Sequence, residues 1–375
     1  MYNTVMKLSI LQENLYKALQ DLSKFVPVKP QLPILSSILM EAKEGQLTLY
    51  ATDLHTGMKT SVGGKIETEG KVAVPSKTFV EYVASLQAGM LTLEASADGL
   101  TVKGDSSKAS FQIVAAEDYP PFPSHEGKGL KLKKEEFVSL VDFGAMAAGI
   151  DESRPVLSSV LIEETEDALT AVSTDGFRLS HRTLPHKDGI ARQVLLPAKT
   201  LKEVMRIIAK SAATAVEIVL SDELRQVSVV AGDSVFLLRI VDGSFPNYSA
   251  IVPAEFSEEI SFDRESALSS LRRAMIFSRE SSSIVKLTLK KDALVFTASS
   301  SSVGAHEGQI SANLDRGEQK DIAFNGKYMQ DFLSMTDEKI VKFFMNETLR
   351  PGKFMIDGDD SFFYIVMPFR LQNAE

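Results

Sequence analysis

Four cations recur at spacings of three, four and four residues: Lys199, Lys202, Arg206 and Lys210. At about 100° per residue they occupy an arc of roughly 80° on a helix, with Leu201, Val204, Met205 and Ile208 on the opposite side. A helix divided this way buries one face and offers the other to anions. An ordinary solvated lysine face has the same pattern, but a phosphate backbone is the polyanion that such a row fits. Further cations sit on three other helical patterns or at their exits: Lys17, Lys24, Lys29 and Lys77 early in the chain, and Arg272, Arg273 and Arg279 late.

Reactive chemistry is harder to find. No phosphate loop of the Gly-x-x-x-x-Gly-Lys-Ser/Thr type occurs, no dinucleotide-binding Gly-x-Gly-x-x-Gly and no Gly-x-Ser-x-Gly elbow. The five histidines (His55, His125, His181, His186 and His306) form no zinc-binding pair, and His306-Glu307 starts one that fails at Ile310. With no cysteine there is no disulfide, no thiolate nucleophile and no Cys-built zinc site. Asp357-Gly358-Asp359-Asp360 offers carboxylates but lacks the ligand spacing of a calcium loop, and a tight hairpin turn is the simpler reading. No catalytic residue, metal or cofactor is expected.

The elements that position these residues come from a duplication. Residues 32–53 and 154–175 align without a gap, with 11 of 22 positions identical. Leu35-Ser36-Ser37 repeats as Leu157-Ser158-Ser159 and Thr52-Asp53 as Thr174-Asp175, an offset of 122 throughout. That period divides 375 residues into three domains of ordinary size, expected at 1–126, 127–253 and 254–375. Hydrophobic content of 44% and charged content of 24% suit globular domains. No apolar run approaches the roughly 18 residues of a membrane span, so a cytoplasmic protein without membrane contact is expected. The net charge of −9 argues against a chain that coats nucleic acid with its whole surface, though not against one basic face.

Each repeat is expected to hold two helices and six to eight short strands, mostly hairpin-joined: an α+β fold with mainly antiparallel sheets. The periodicity predicts first helices at about 12–25, 135–149 and 264–279. Second helices follow Pro75, Pro197 and Asn325, with Lys77, Lys199 and Lys327 near their starts. Asp263 is a candidate N-cap. Aromatic–proline segments, Tyr119-Pro120-Pro121-Phe122-Pro123 and Phe245-Pro246-Asn247-Tyr248, close the first two repeats. On the helix at 264–279, Leu268, Leu271 and Met275 mark the buried face. Ile276 and Phe277 fall about 100° and 160° away, where water should be; large apolar groups there suit a subunit interface. After the shared Thr-Asp, the second copy reads Gly176-Phe177-Arg178-Leu179 where the first reads Leu54-His55-Thr56-Gly57, so the two turns have diverged.

In this order, these motifs resemble the bacterial sliding clamp family, the beta subunit of DNA polymerase III. The resemblance spans essentially the whole chain. It rests on Leu32-Pro33-Ile34-Leu35-Ser36, Val74-Pro75-Ser76-Lys77, Thr174-Asp175-Gly176-Phe177-Arg178-Leu179, Phe245-Pro246-Asn247-Tyr248, Phe324-Asn325 and Met367-Pro368-Phe369-Arg370-Leu371. It implies three tandem repeats of the DNA-clamp fold forming half of a ring. It also implies a head-to-tail homodimer around double-stranded DNA, held without sequence preference, and a non-catalytic processivity factor. By position it assigns DNA contacts to Lys29, Lys77 and Lys199; Lys202, Arg206 and Lys210 join them from the helical wheel. It implies a peptide pocket for short linear motifs of the polymerase III catalytic subunit, the clamp-loader complex, other polymerases and repair proteins. The matching positions are Leu157, Thr174, Gly176, Phe177, Arg178, Leu179, Pro246, Ile251, Asn325, Tyr328, Leu349, Val366, Met367, Pro368, Phe369 and Arg370. Phe177 and Phe369 depart from the histidine and methionine common there. At the dimer seam it assigns Lys108, Phe111, Ile276 and Phe277, with Ser299–Ser302 replacing a frequent acidic cluster.

Two other functions compete with this one. A nuclease or phosphotransferase would use Asp53 and Asp175 as duplicated metal-binding acids. A three-repeat interaction scaffold would bind peptides and never touch DNA.

Overall fold

The structure, a computed structural model, describes residues 4–104, 106–123, 129–187, 192–221, 223–279 and 282–370. Its described residues contain six α-helices: α1 (Gln12–Leu22), α2 (Ser76–Ser85), α3 (Lys134–Gly144), α4 (Ala198–Lys210), α5 (Arg264–Ile276) and α6 (Gly326–Met335). Two helices per repeat is the number expected, and none is long and apolar enough to cross a membrane. The chain divides into two compact units, residues 1–138 with 200–240, and residues 139–199 with 241–375. The middle repeat contributes to both.

The first unit holds two antiparallel sheets. One has five strands in the order Lys65–Thr68, Thr4–Leu11, Met90–Ser96, Gly99–Lys103 and Lys108–Phe111. The other has eight: Leu130–Lys133, Ala215–Ser221, Gln226–Ala231, Ser234–Arg239, Thr56–Gly63, Gln46–Thr52, Ser37–Lys43 and Gly70–Pro75. The join between first-repeat and second-repeat strands is the ladder of Ser234–Arg239 on Thr56–Gly63, in the register Leu238 to Thr56 and Ser234 to Thr60. Helices α1 and α2 pack together, with Leu15, Leu19, Leu22, Phe79 and Val83 buried. The strand Ser37–Lys43 is preceded by a 3-10 turn, Pro33–Ser36, because Pro33 fixes the backbone at its start.

The second unit is organised by one twelve-stranded antiparallel sheet. Its spatial order is Arg192–Pro197, Ser159–Glu164, Ala168–Thr174, Arg178–Pro185, Asp359–Val366, Gly352–Ile356, Ile340–Met345, Glu258–Asp263, Gly304–Arg316, Ala293–Ser300, Ile284–Lys290 and Lys320–Asn325. Here the join between repeats is Arg178–Pro185 on Asp359–Val366, with Arg178 opposite Val366 and Arg182 opposite Phe362. It repeats the first join with 122 added to one strand. Arg182 Nη1 reinforces it with a bond to Asp359 Oδ2 of 2.5 Å. Asp359 also accepts from Ser361, so the Asp357–Asp360 segment is the expected hairpin turn, with Gly358 at φ +80°.

Side-chain packing fixes α5 and α6 to the sheet. Phe332 of α6 lies 5.2 Å from Phe354 and 5.9 Å from Tyr364, and Phe343 packs tilted against Phe354 at 4.6 Å. All are at most 1% exposed, and each such ring contributes about 1.5–3 kcal/mol by burial. Asp263 caps α5 by accepting from Ser266 N (2.8 Å), as expected, and Asn325 caps α6 by accepting from Lys327 N (3.0 Å). Helix α5 ends at Ile276, three residues before the expected 279, with Phe277 as its C-cap.

Candidate peptide-binding site and basic face

The Thr-Asp turn is built identically in both copies. Thr174 Oγ1 donates to Arg178 O (2.7 Å) and accepts from Gly176 N, while Asp175 Oδ1 accepts from Phe177 N and Arg178 N. In the first copy Thr52 Oγ1 donates to Thr56 O (2.7 Å) and accepts from Leu54 N, and Asp53 Oδ1 accepts from His55 N and Thr56 N. The turn needs a left-handed residue in third place. Gly176 supplies it at φ +93°, whereas Leu54 is held there at φ +77° against its own side chain. These bonds fill Asp53 and Asp175 with backbone amides, which accounts for the duplicated Thr-Asp as structural and weighs against metal-binding acids. Among the described residues no cluster of three or more metal-ligating side chains occurs.

What differs is the surroundings. After the turn, Met367 N donates to Phe177 O (2.8 Å), and Arg239 N donates to His55 O (2.9 Å) in the equivalent place. In the second copy a cleft of about 730 Å³ opens beside it, lined by Ala250, Ile251, Pro253, Leu349, Pro351 and Met367 on its apolar side. Beside the first turn a space of about 70 Å³ is lined by Thr52, Leu54, His55 and the linker Pro120-Pro121-Phe122-Pro123. Gly57 permits this, since a side chain there would press on the Phe122 ring. Its counterpart Leu179 is buried in the core.

Five large apolar side chains of the expected pocket stand exposed in this unit: Phe177, Ile251, Leu349, Met367 and Phe369. Leu157, Asn325, Tyr328 and Pro368 are half-buried, and Gly176, Pro246 and Arg370 are exposed. Thr174, Leu179 and Val366 are buried and support the surface from beneath. The cleft also has polar walls that the sequence reading did not include: Ser257, Lys320, Asn346, Glu347 and Arg350. Ser257, Asn346, Glu347 and Arg350 lie outside helices and strands, and Lys320 opens the strand Lys320–Asn325, so no periodicity singled them out.

Arg178 holds the site together. Its Nε donates to Asp175 Oδ2 (3.0 Å), and its Nη1 donates to Asp331 Oδ2 (2.5 Å) and Tyr364 Oη (3.2 Å). The guanidinium lies 4.5 Å over the Tyr328 ring. Burial opposes its charge, but Tyr364, Asp331 and Asp175 outweigh that and hold its pKa above the ordinary arginine value. With its donors engaged inside the chain, Arg178 shapes the turn and the Tyr328 wall.

Near the same strands, His181 stacks on Phe363 at 4.4 Å and faces Tyr248 at 5.8 Å. Burial pushes its pKa from 6.5 down to about 4. The unfolded chain therefore takes up a proton between pH 6.5 and pH 4 that the folded chain refuses. The His181 contribution is complete above pH 6.5, is lost as pH falls to about 4, and changes no further below. After discounting for partial exposure, we expect about 1–3 kcal/mol of stability to vanish over that window. Urea unfolding at pH 7 and pH 4.5 should show a smaller pH difference in His181→Phe than in the parent; equal differences would exclude this titration.

The basic row is as expected on α4. Leu201, Val204, Met205 and Ile208 are buried, and Lys199, Arg206 and Lys210 exposed, with Lys202 half-buried. Lys29 and Lys77 are exposed as well. At the expected seam, Ile276 is half exposed (50%) and Lys108 exposed. Phe277 is covered more than the wheel suggested, and Phe111, assigned by the resemblance, is half-buried. Beyond the end of α5, Phe277 turns back to stack on His306 (5.7 Å), and Phe111 meets Phe79 edge-on (5.5 Å).

Family models for the DNA polymerase III beta subunit match the chain three times: the N-terminal domain at residues 6–123, the central domain at 131–247 and the C-terminal domain at 249–370. A beta sliding clamp of a Synechocystis species is 29% identical over 394 residues, spanning 98% of this chain and 100% of that protein. The DNA polymerase III beta subunit of Thermotoga maritima, 26% identical, superposes with a TM-score of 0.90 over 98% of this chain and 100% of that one. A Pseudomonas aeruginosa sliding clamp bound to griselimycin gives the same identity, TM-score and coverage. Carrying all three domains in order along its length, the chain belongs to the family of the DNA polymerase III beta subunit, the bacterial sliding clamps.

Proposed function

We propose that this chain is a DNA polymerase processivity factor that performs no chemistry: two copies close head to tail into a ring that encircles duplex DNA. The ring slides on DNA and tethers the replicative polymerase, the clamp loader and other polymerases and repair proteins. The observation that carries this reading is a repeated strand join with two halves left over. Within the chain, a strand following the first hairpin of one repeat pairs with the last strand of the next, once at Thr56–Gly63 with Ser234–Arg239 and once at Arg178–Pro185 with Asp359–Val366. The third strand of the former kind is Gly304–Arg316, and the third of the latter kind is Lys108–Phe111. Lys108–Phe111 ends its sheet, and in Gly304–Arg316 residues 304–311 pair on one side only. Such edges attract a partner strand, and two copies related by a two-fold axis satisfy both.

Domains at 1–126, 127–253 and 254–375 place each join at a domain boundary. The basic face of α4, with Lys29 and Lys77, is assigned to the DNA side, where phosphate contacts are indifferent to sequence and allow sliding. The cleft of Ile251, Leu349 and Met367, with Phe177 and Phe369 exposed beside Met367, is assigned to partner peptides: its apolar wall suits short linear anchors, and Lys320, Asn346 and Arg350 on the other wall offer polar partners. A replication factor of this kind works in the cytoplasm.

The test is topological. Loaded onto nicked circular DNA by a clamp loader and ATP, the protein should stay on the circle and run off once the circle is cut. Equal retention on both forms would establish surface binding instead. Reversing Lys199, Lys202 and Arg206 to Glu together should lower retention at least about tenfold while thermal unfolding stays unchanged. Full retention would move the DNA side to another face.

A further inference from the structure

The cations assigned to DNA do not stand alone. Lys199 Nζ lies 3.1 Å from Glu152 Oε1, and Arg206 Nη1 lies 3.4 Å from Glu203 Oε2. Asp21 of α1, half-buried, lies in the field of Lys17, Lys24 and Lys210, with Glu203 as its acidic neighbour. A helix face selected only for phosphate affinity would not carry carboxylates against its own cations. We propose that Glu152 and Glu203 are grip-limiting residues: they compete with DNA phosphates for Lys199 and Arg206, and so keep the ring mobile on the duplex. This rests on the assignment of the basic face to DNA.

The physics is an exchange of partners. A lysine that meets a phosphate releases a counterion from the DNA, and that release sets the salt dependence of binding. A lysine that first leaves a carboxylate obliges that carboxylate to recruit a cation from solution, which cancels part of the release. Exposed pairs of this kind are worth about as little as one exposed phosphate contact. Neither partner therefore wins decisively, and each cation passes between its own carboxylate and successive phosphates. The side chains of Lys199 and Glu152 are 89% and 77% exposed, so both are free to make that exchange. Glu203, only 29% exposed, is the more fixed competitor.

The test is a salt titration of binding to a short fluorescent duplex by anisotropy, using the full-length protein. Glu152→Gln with Glu203→Gln removes two competitors without touching a cation. Affinity at low salt should rise about tenfold, at roughly threefold per pair. The plot of log K against log salt should steepen by about two. The Lys199, Lys202 and Arg206 reversal runs alongside. If the reversal weakens binding and the Gln variant leaves affinity and slope unchanged, the carboxylates do not limit grip and the proposal is wrong. If the reversal itself has no effect, the basic face is not the DNA side and the proposal falls with it.

Discussion

Ile276→Asp is expected to sediment as a monomer at concentrations where the parent chain sediments as a dimer. Ile276 closes α5 with half its surface in water, although the helix keeps Ala267, Leu271 and Ala274 buried on its other side. An isoleucine there leaves half of its apolar surface in water, which packing within one chain does not explain. Burial against a second copy would contribute about 1.5–3 kcal/mol. An aspartate there would forgo that term and leave an unpaired charge to desolvate. The two effects together amount to about 4 kcal/mol or more, which weakens association roughly a thousandfold. Phe277 is not the better target. It already stacks on His306 and packs against the third-repeat core, so its loss would disturb the fold as well as the seam. Ile276→Asp should leave the melting of the monomer unaltered, because the side chain touches little of its own chain. A variant that melts normally and still sediments as a dimer would place the seam elsewhere.

The same seam shows what the sequence could and could not convey. The wheel of α4 was legible in full because a long amphipathic helix repeats its burial pattern several times, and each repetition corrects the others. At the end of α5 the wheel misled. Phe277 lies one residue past the helix, where the 100° rule stops, and stacking on His306 covers it. Three strands of the first repeat, Thr56–Gly63, Lys65–Thr68 and Gly70–Pro75, carried no clear alternation. Thr56–Gly63 reads Thr-Gly-Met-Lys-Thr-Ser-Val-Gly, because its burial is decided by Ser234–Arg239 across the ladder rather than by local pattern. The duplicated Thr-Asp was visible, and so was its simplest purpose, a strand-end turn whose carboxylate accepts from nearby backbone amides. The cleft was different: its exposed apolar anchors came with the family resemblance, whereas Lys320, Asn346 and Arg350 reach it only through folding.

Arg178→Ala should weaken the binding of a partner peptide about tenfold to a hundredfold, or about 1.4–3 kcal/mol, although the guanidinium has little freedom to touch the peptide. Only 12% of its side chain is exposed, and it is shared among Asp175, Asp331, Tyr364 and the face of Tyr328. Removing it leaves the Asp175 carboxylate without its side-chain partner and unties Tyr328 from the turn that carries Phe177. The expected loss is one of shape, and a lysine tests that. Arg178→Lys keeps the charge and can reach one carboxylate, but it lacks the planar fork that spans two acids and stacks on a ring. It should therefore recover less than half of the lost binding free energy. Full recovery would mean that charge alone matters and that Arg178 reads the peptide directly. Met367→Ala provides the contrast. Its side chain is exposed in the cleft, so it should lower affinity through lost contact while the turn stays intact. Chemical shifts of the Phe177 and Tyr328 rings separate the two effects: they should move in Arg178→Ala before any peptide is added and stay in place in Met367→Ala. If both variants leave the free protein unchanged, Arg178 is a contact residue rather than the one that positions the pocket.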